Sequence, residues 1–96
     1  MKDLSPDDRP REKLVRHGAG ALGDNELVAL VVGSGTGRAG ALDVANDALR
    51  THGGIHGLAR STCSELARIP GIGTAKAARL LAALELGRRT LVRAPR

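Results

Sequence analysis

The apolar positions of this chain recur at helical spacing, and glycine and proline divide them into short pieces. Pro10 to His17 (PREKLVRH) is predicted as a first helix, with proline tolerated in its opening turn and Gly18 stopping it. A second helix is predicted to be capped by Asp24 and to place Leu27, Leu30 and Val31 on one face at i, i+3 and i+4. The cluster Gly33-Ser34-Gly35-Thr36-Gly37 ends it. A third helix, from about Ala39 to Thr51, is predicted to bury Leu42, Ala45 and Leu49. Gly53-Gly54 then breaks the chain, and Ile55 to Ala59 reads as one short turn. Thr62-Cys63-Ser64-Glu65 has the T-x-x-E form of a capping box, opening a fourth helix through Ile69 that Pro70 stops. The fifth and longest helix starts after Gly73 and runs to about Thr90. Helix, glycine-rich hairpin, helix therefore occurs twice, around 33–37 and around 70–73, without an exact sequence repeat.

Composition sharpens this picture. The chain has 96 residues and not one Phe, Trp or Tyr. That excludes aromatic base-stacking platforms and aromatic cages, and it leaves Ala and Leu, with some Val and Ile, to build the core. Such residues favour close helix packing over a sheet. The expected fold is all-α: one compact bundle of about five short helices. Residues 1–8 are expected to form a flexible leader, 9–90 the domain and 91–96 a basic tail or linker. No apolar run approaches the roughly 20 residues of a membrane span, so no membrane partner and a cytoplasmic location are expected. The single cysteine, Cys63, excludes an internal disulfide, fits a reducing compartment and is expected to be a small buried hydrophobe.

The net charge of +5 is unevenly placed. Residues 1–59 hold seven Lys/Arg against eight Asp/Glu, whereas residues 60–96 hold eight Lys/Arg against only Glu65 and Glu85. The whole positive excess lies in the last third, and a polyanion docking there is the natural partner. A basic linker serving only solubility is the plainer alternative.

The segment Leu66 to Leu81 (LARIPGIGTAKAARLL) has its own logic. Gly71 and Gly73 supply backbone angles for a tight reversal, and Ile72 between them is expected to point inward and pin the turn. Ala77 is small enough to let two helices approach, and Leu80, Leu81 and Leu84 continue the buried face. The amides of Gly71, Gly73 and Thr74 then face outward at the start of a helix, where anions are favoured. Lys76 and Arg79, three residues apart, are expected to project beside the same end. Phosphates in series on a nucleic-acid backbone suit these groups.

This segment resembles the helix-hairpin-helix DNA-binding motif at Leu66, Ile69, Gly71, Ile72, Gly73, Ala77, Leu80 and Leu81. The resemblance implies contact with DNA phosphates without reading of sequence; hairpins of this kind also serve purely to pack helices or to meet another protein. A wider resemblance covers most of the chain. Arg9-Pro10-Arg11-Glu12-Lys13-Leu14, Leu22-Gly23-Asp24-Asn25-Glu26-Leu27, Gly53-Gly54-Ile55 and Ala83-Leu84-Glu85-Leu86-Gly87-Arg88-Arg89 are similar to the amino-terminal region of RadC-like proteins. That family places such a region before a JAB/MPN metalloprotease-like domain and carries a DNA-repair label. This chain holds no H-x-H followed by Ser and Asp ligands, so the family's catalysis does not carry over to its residues.

Other constellations point nowhere. Gly35-Thr36-Gly37-Arg38-Ala39-Gly40 fits G-x-G-x-x-G, but no βαβ unit surrounds it and no G-K-[ST] follows. Gly35, Thr36, Gly37 and Arg38 read instead as a second, imperfect hairpin or as a plain interhelical loop, with Asp43 and Asp47 opposing phosphate approach. His17, His52 and His56 make no spaced ligand pair, and no nucleophile converges with a base. Neither cofactor nor metal is expected, and no enzymatic activity.

The expected function is non-sequence-specific binding of duplex or branched DNA, as an adaptor in repair or recombination. Gly71, Ile72, Gly73 and Thr74 form the hairpin, Lys76 and Arg79 supply charge, and Arg88 and Arg89 add electrostatic hold. The alternative is a protein-interaction module that docks a partner, such as another repair protein or a JAB/MPN-like domain, through its Leu27–Val32 helix.

Overall fold

A computed structural model describes residues 9–33 and 40–92 of the chain. Six α-helices form among them: α1 (Pro10–His17), α2 (Asp24–Val32), α3 (Ala41–His52), α4 (Gly54–Arg60), α5 (Cys63–Ala67) and α6 (Gly73–Val92). A 3-10 turn at Ala19–Ala21 links α1 to α2. The leader expected at 1–8, the end of the tail at 93–96 and the hairpin expected at Gly35, Thr36, Gly37 and Arg38 lie outside the described residues.

The all-α expectation holds, with details that follow from packing. α1 has the expected bounds, because Pro10 fits a first turn and Gly18 leaves the helix at a φ of 87°. Asp24 does not cap α2. It is the first helical residue after Gly23, and the capping is done by Glu26, whose carboxylate accepts the Gly23 N–H at 2.9 Å. Lys13 of α1 donates to the same carboxylate at 2.9 Å, tying α1 to the start of α2. Ile55 to Ala59 is more than a turn: α4 closes over α3 as a helix in its own right. α5 is shorter than expected and ends at Ala67, where the Arg68 and Ile69 amides tighten onto the Glu65 and Leu66 carbonyls.

The buried faces of α2 and α3 also differ from expectation. α2 buries Val28, Ala29 and Val32, while Leu27, Leu30 and Val31 are half-buried. α3 buries Val44, Ala45 and Ala48, and Leu42 and Leu49 pack at the margin. Small residues take the contact between the two helices, since they let the backbones approach; the bulkier leucines cover its edges. One core runs from these residues through Leu58, Leu66, Ile69 and Ile72 to Ala77 and Leu80 of α6. Leu81 and Leu84 pack against it, as the long helical face predicts.

α3 and α4 approach each other closely at one point. Gly57 is buried, and a Cβ at that position would coincide with the His52 carbonyl oxygen. Ser61 fastens the same corner. Its hydroxyl donates to the Gly57 carbonyl at 2.8 Å and so accepts at 3.0 Å from Nδ1 of His52, a neighbour that is half-buried. No helix among the described residues is long and apolar enough to cross a membrane.

Candidate nucleic-acid interface

The turn between α5 and α6 is built by local chemistry. Thr62 and Glu65 form the expected capping box: the Glu65 amide donates to the Thr62 hydroxyl at 3.2 Å, and the Thr62 amide to the Glu65 carboxylate at 2.7 Å. Hydrogen bonding from the Thr62 amide first, and then from the Thr62 side chain, holds the Glu65 carboxyl below its ordinary range. Gly71 and Gly73 take φ values of 92° and 67°, which L side chains rarely adopt. Ile72 between them is 4% exposed and seats in the core, and its amide donates to the Ile69 carbonyl at 3.0 Å. The turn is thereby pinned from inside by Ile69 and Ile72 while Gly71, Gly73 and Thr74 stay exposed. The first amides of α6 have no partner within their own helix, and they begin at this exposed edge.

The basic side chains do not all gather there. Lys76 is half-buried and reaches back to the Gly71 carbonyl at 3.4 Å, so it stays with the turn. Arg79 goes the other way and donates to the Val31 carbonyl of α2, also at 3.4 Å. Lys76 and Arg79 therefore do not project together; Arg79 caps the carbonyl end of α2 and ties it to α6. Arg88 and Arg89 lie three and four residues beyond Glu85, and both bind its carboxylate, at 2.8 and 2.9 Å. Hydrogen bonds from Arg88 and then Arg89 hold that carboxyl down at about 2, and the pairing raises the Arg88 guanidinium in return. Much of the charge expected of Arg88 and Arg89 is thus already answered.

Sequence reading passed over two features. Arg68, the residue following α5, is exposed at the mouth of the turn and is near enough to Glu65 to help lower its carboxyl. It occupies a variable position of the hairpin pattern, so the pattern does not mark it. The neutralising role of Glu85 was legible in its i, i+3 and i+4 spacing to the arginines. Cys63 is half-buried rather than buried, with its thiol 3.9 Å from the Thr74 carbonyl. Among the described residues no three His, Cys, Asp or Glu side chains gather as a metal-ligand set.

The fold and this turn define a small all-helical domain whose last two helices meet at an internally pinned glycine turn in a basic setting. A family model described as UPF0758 N-terminal matches residues 1–78, and the chain belongs to that family. The RadC-like amino-terminal region expected from the sequence corresponds to it. A UPF0758 protein from Geotalea uraniireducens is 50% identical over 91 residues, covering 93% of this chain and 40% of the relative. One from Bordetella pertussis is 50% identical over 84 residues, covering 88% and 37%. Another from Desulforudis audaxviator is 44% identical over 93 residues, covering 97% and 40%. The chain thus spans about two fifths of the length of these relatives. No solved structure matches it.

Proposed function

We propose that this domain binds the DNA backbone without reading its sequence, as a non-enzymatic adaptor of repair or recombination, through a helix-hairpin-helix formed by α5, the glycine turn and α6. The observation that carries the reading is the turn itself. Ile72 is buried between two glycines at positive φ, so exposed backbone at Gly71, Gly73 and Thr74 is held rigidly beside Lys76. Rigid amides at a helix start suit a phosphate, and DNA offers phosphates in series. The charge distribution supports the same side of the molecule, with eight basic and two acidic residues from 60 to 96. Within this reading Lys76 and Arg68 are the phosphate-facing side chains, Arg79 orders α2 against α6, and Arg88 and Arg89 act at longer range. Few phosphate contacts mean weak binding, on the order of micromolar or weaker at physiological salt.

The interaction-module alternative placed its surface on Leu27–Val32. Every residue of that stretch is buried or half-buried, so the apolar strip that reading needs is not exposed there.

Fluorescence anisotropy across a salt series, with duplex, branched and single-stranded DNA, tests the proposal. The expected result is affinity that falls linearly with log salt and shows little sequence preference. Lys76→Ala should weaken binding and reduce the salt slope by about 1. Absence of binding at low salt, or a slope unmoved by Lys76→Ala, would overturn it.

A further inference from the structure

The basic side chains differ in what answers their charge. Arg11, Lys13, Arg50, Arg88 and Arg89 each form an ion pair with a carboxylate. Arg79 forms none among the described residues; it is exposed, and its guanidinium donates to a neutral group, the Val31 carbonyl of α2. At 3.4 Å that bond is long for N–H···O, and it is open to water. A neutral acceptor in solvent holds a charged donor weakly, whereas a phosphate offers a guanidinium two charge-assisted bonds.

Position adds a second reason. Arg79 follows Lys76 by three residues, about 4.5 Å further along α6, and Lys76 already reaches back to the Gly71 carbonyl of the turn. Long side chains on a helix lean towards its N-terminus, and the N-terminus of α6 is the glycine turn. Letting go of Val31 leaves the packing of α2 and α6 in place, because Val28, Ala29 and Val32 share one core with Ala77 and Leu80. Resting on the DNA reading above, we propose that Arg79 is a shared residue: Val31 holds it in the free domain, and a phosphate bound at the turn takes it over. DNA binding then uncaps the carbonyl end of α2. The end of α2 and the DNA compete for one guanidinium, so whatever holds Arg79 on α2 weakens DNA binding to the same degree.

NMR of the 96-residue chain with a short DNA duplex at 50 mM salt tests it. At saturation the carbonyl carbon of Val31 should shift in step with the amides of Gly71, Gly73 and Thr74. Arg79→Gln should shift the same carbon without DNA and abolish its response to DNA. That variant should keep the parent's melting temperature, bind the duplex about threefold or more weakly and reduce the salt slope by about 1. Turn amides that respond while Val31 does not would overturn the exchange and leave the DNA reading standing. An Arg79→Gln variant with the parent's affinity and slope would do the same. A melting temperature lowered by about 5 °C or more would make the contact a fixed strut and overturn the exchange too. Turn amides that do not respond at all would remove the DNA reading, and this inference with it.

Discussion

The α2–α3 pair and the α5–α6 pair share a plan, two helices joined through a glycine-rich stretch, and they feed the same core. α2 and α3 contribute Val28, Ala29, Val32, Val44, Ala45 and Ala48; the second pair contributes Leu66, Ile69, Ile72, Ala77 and Leu80. On the outside they diverge. α3 carries exposed Asp43 and an Asp47–Arg50 ion pair, and Asn25 of α2 bonds Asn46 across to it at 3.0 Å. The second pair presents Arg68, Lys76 and Arg79. Packing therefore treats the two pairs alike, and only their surfaces separate an acidic pair, with Asp24, Glu26, Asp43 and Asp47 against Arg50, from a basic one.

The link between the pairs is the most fragile point. α4 joins α3 to α5 by passing so close to the end of α3 that Gly57 has no room for a methyl group. The obstacle is backbone, which does not rotate away. Gly57→Ala should cost about 3 kcal/mol or more, at or above the upper end of what overpacking usually costs because the obstacle is backbone, and should lower the melting temperature sharply. An alanine variant that melts where the parent does would break the picture of α4 as the strut between the two pairs.

Next in size is a matched test of the pairs themselves. Ile72→Ala should destabilise the domain by about 2–4 kcal/mol, since the side chain is 4% exposed and fills the core. It should also loosen the glycine turn and weaken DNA binding measured on the folded fraction. Val32→Ala removes a fully buried side chain from the first pair and should lower stability while leaving that affinity alone. Urea titrations combined with anisotropy below the unfolding range give both quantities. Equal losses of affinity in the two variants would erase the distinction between the pairs.

These sites show how far the sequence could be read. α1 and the capping box of α5 were legible because proline, glycine and T-x-x-E act locally. Ile72 was legible because an isoleucine between two glycines has one apolar destination. The inward face of α2 was not, because LVALVV is apolar on every side and its periodicity cannot choose between Leu27–Leu30–Val31 and Val28–Ala29–Val32. α4 reads as a turn in the sequence because Gly53-Gly54 breaks the chain just before it, while the contact that requires Gly57 is with a carbonyl five residues earlier. The divergence of Lys76 and Arg79 depends on where α2 ends in space, which no local pattern encodes.

Acid should act on both pairs, in a defined direction. Glu26 is held below its ordinary value of 4.5 first by Lys13 and then by the Gly23 amide, Glu65 by Thr62, and Glu85 by Arg88 and Arg89. All three are depressed in the folded state, so their contribution is fully present above about 4.5 and is lost as pH falls through the folded values. Stability should therefore decline from pH 4.5 downward, with the Glu85 portion surviving longest, to about pH 2. Glu26→Gln and Glu65→Gln should each flatten the upper part of that decline. Urea midpoints at pH 5 and pH 3 measure it, and parallel curves for parent and variants would refute the assignment.

The smallest effect bears on why the basic pair is less basic than its sequence. Glu85 engages two arginines at once, and it is half-buried and outside the core cluster. Glu85→Gln keeps the shape of the side chain and frees the charge of Arg88 and Arg89 for solvent and for phosphate. Screening limits the gain, because these arginines lie along α6 away from the glycine turn. DNA affinity should rise by about two- to threefold at 50 mM salt and be indistinguishable from the parent near 300 mM, while the corresponding change Asp47→Asn, which frees Arg50 in the first pair, should do less at either salt. If Asp47→Asn tightened binding as much as Glu85→Gln, the response would be to net charge alone, and the contrast between the two helix pairs would carry no information about where DNA lies.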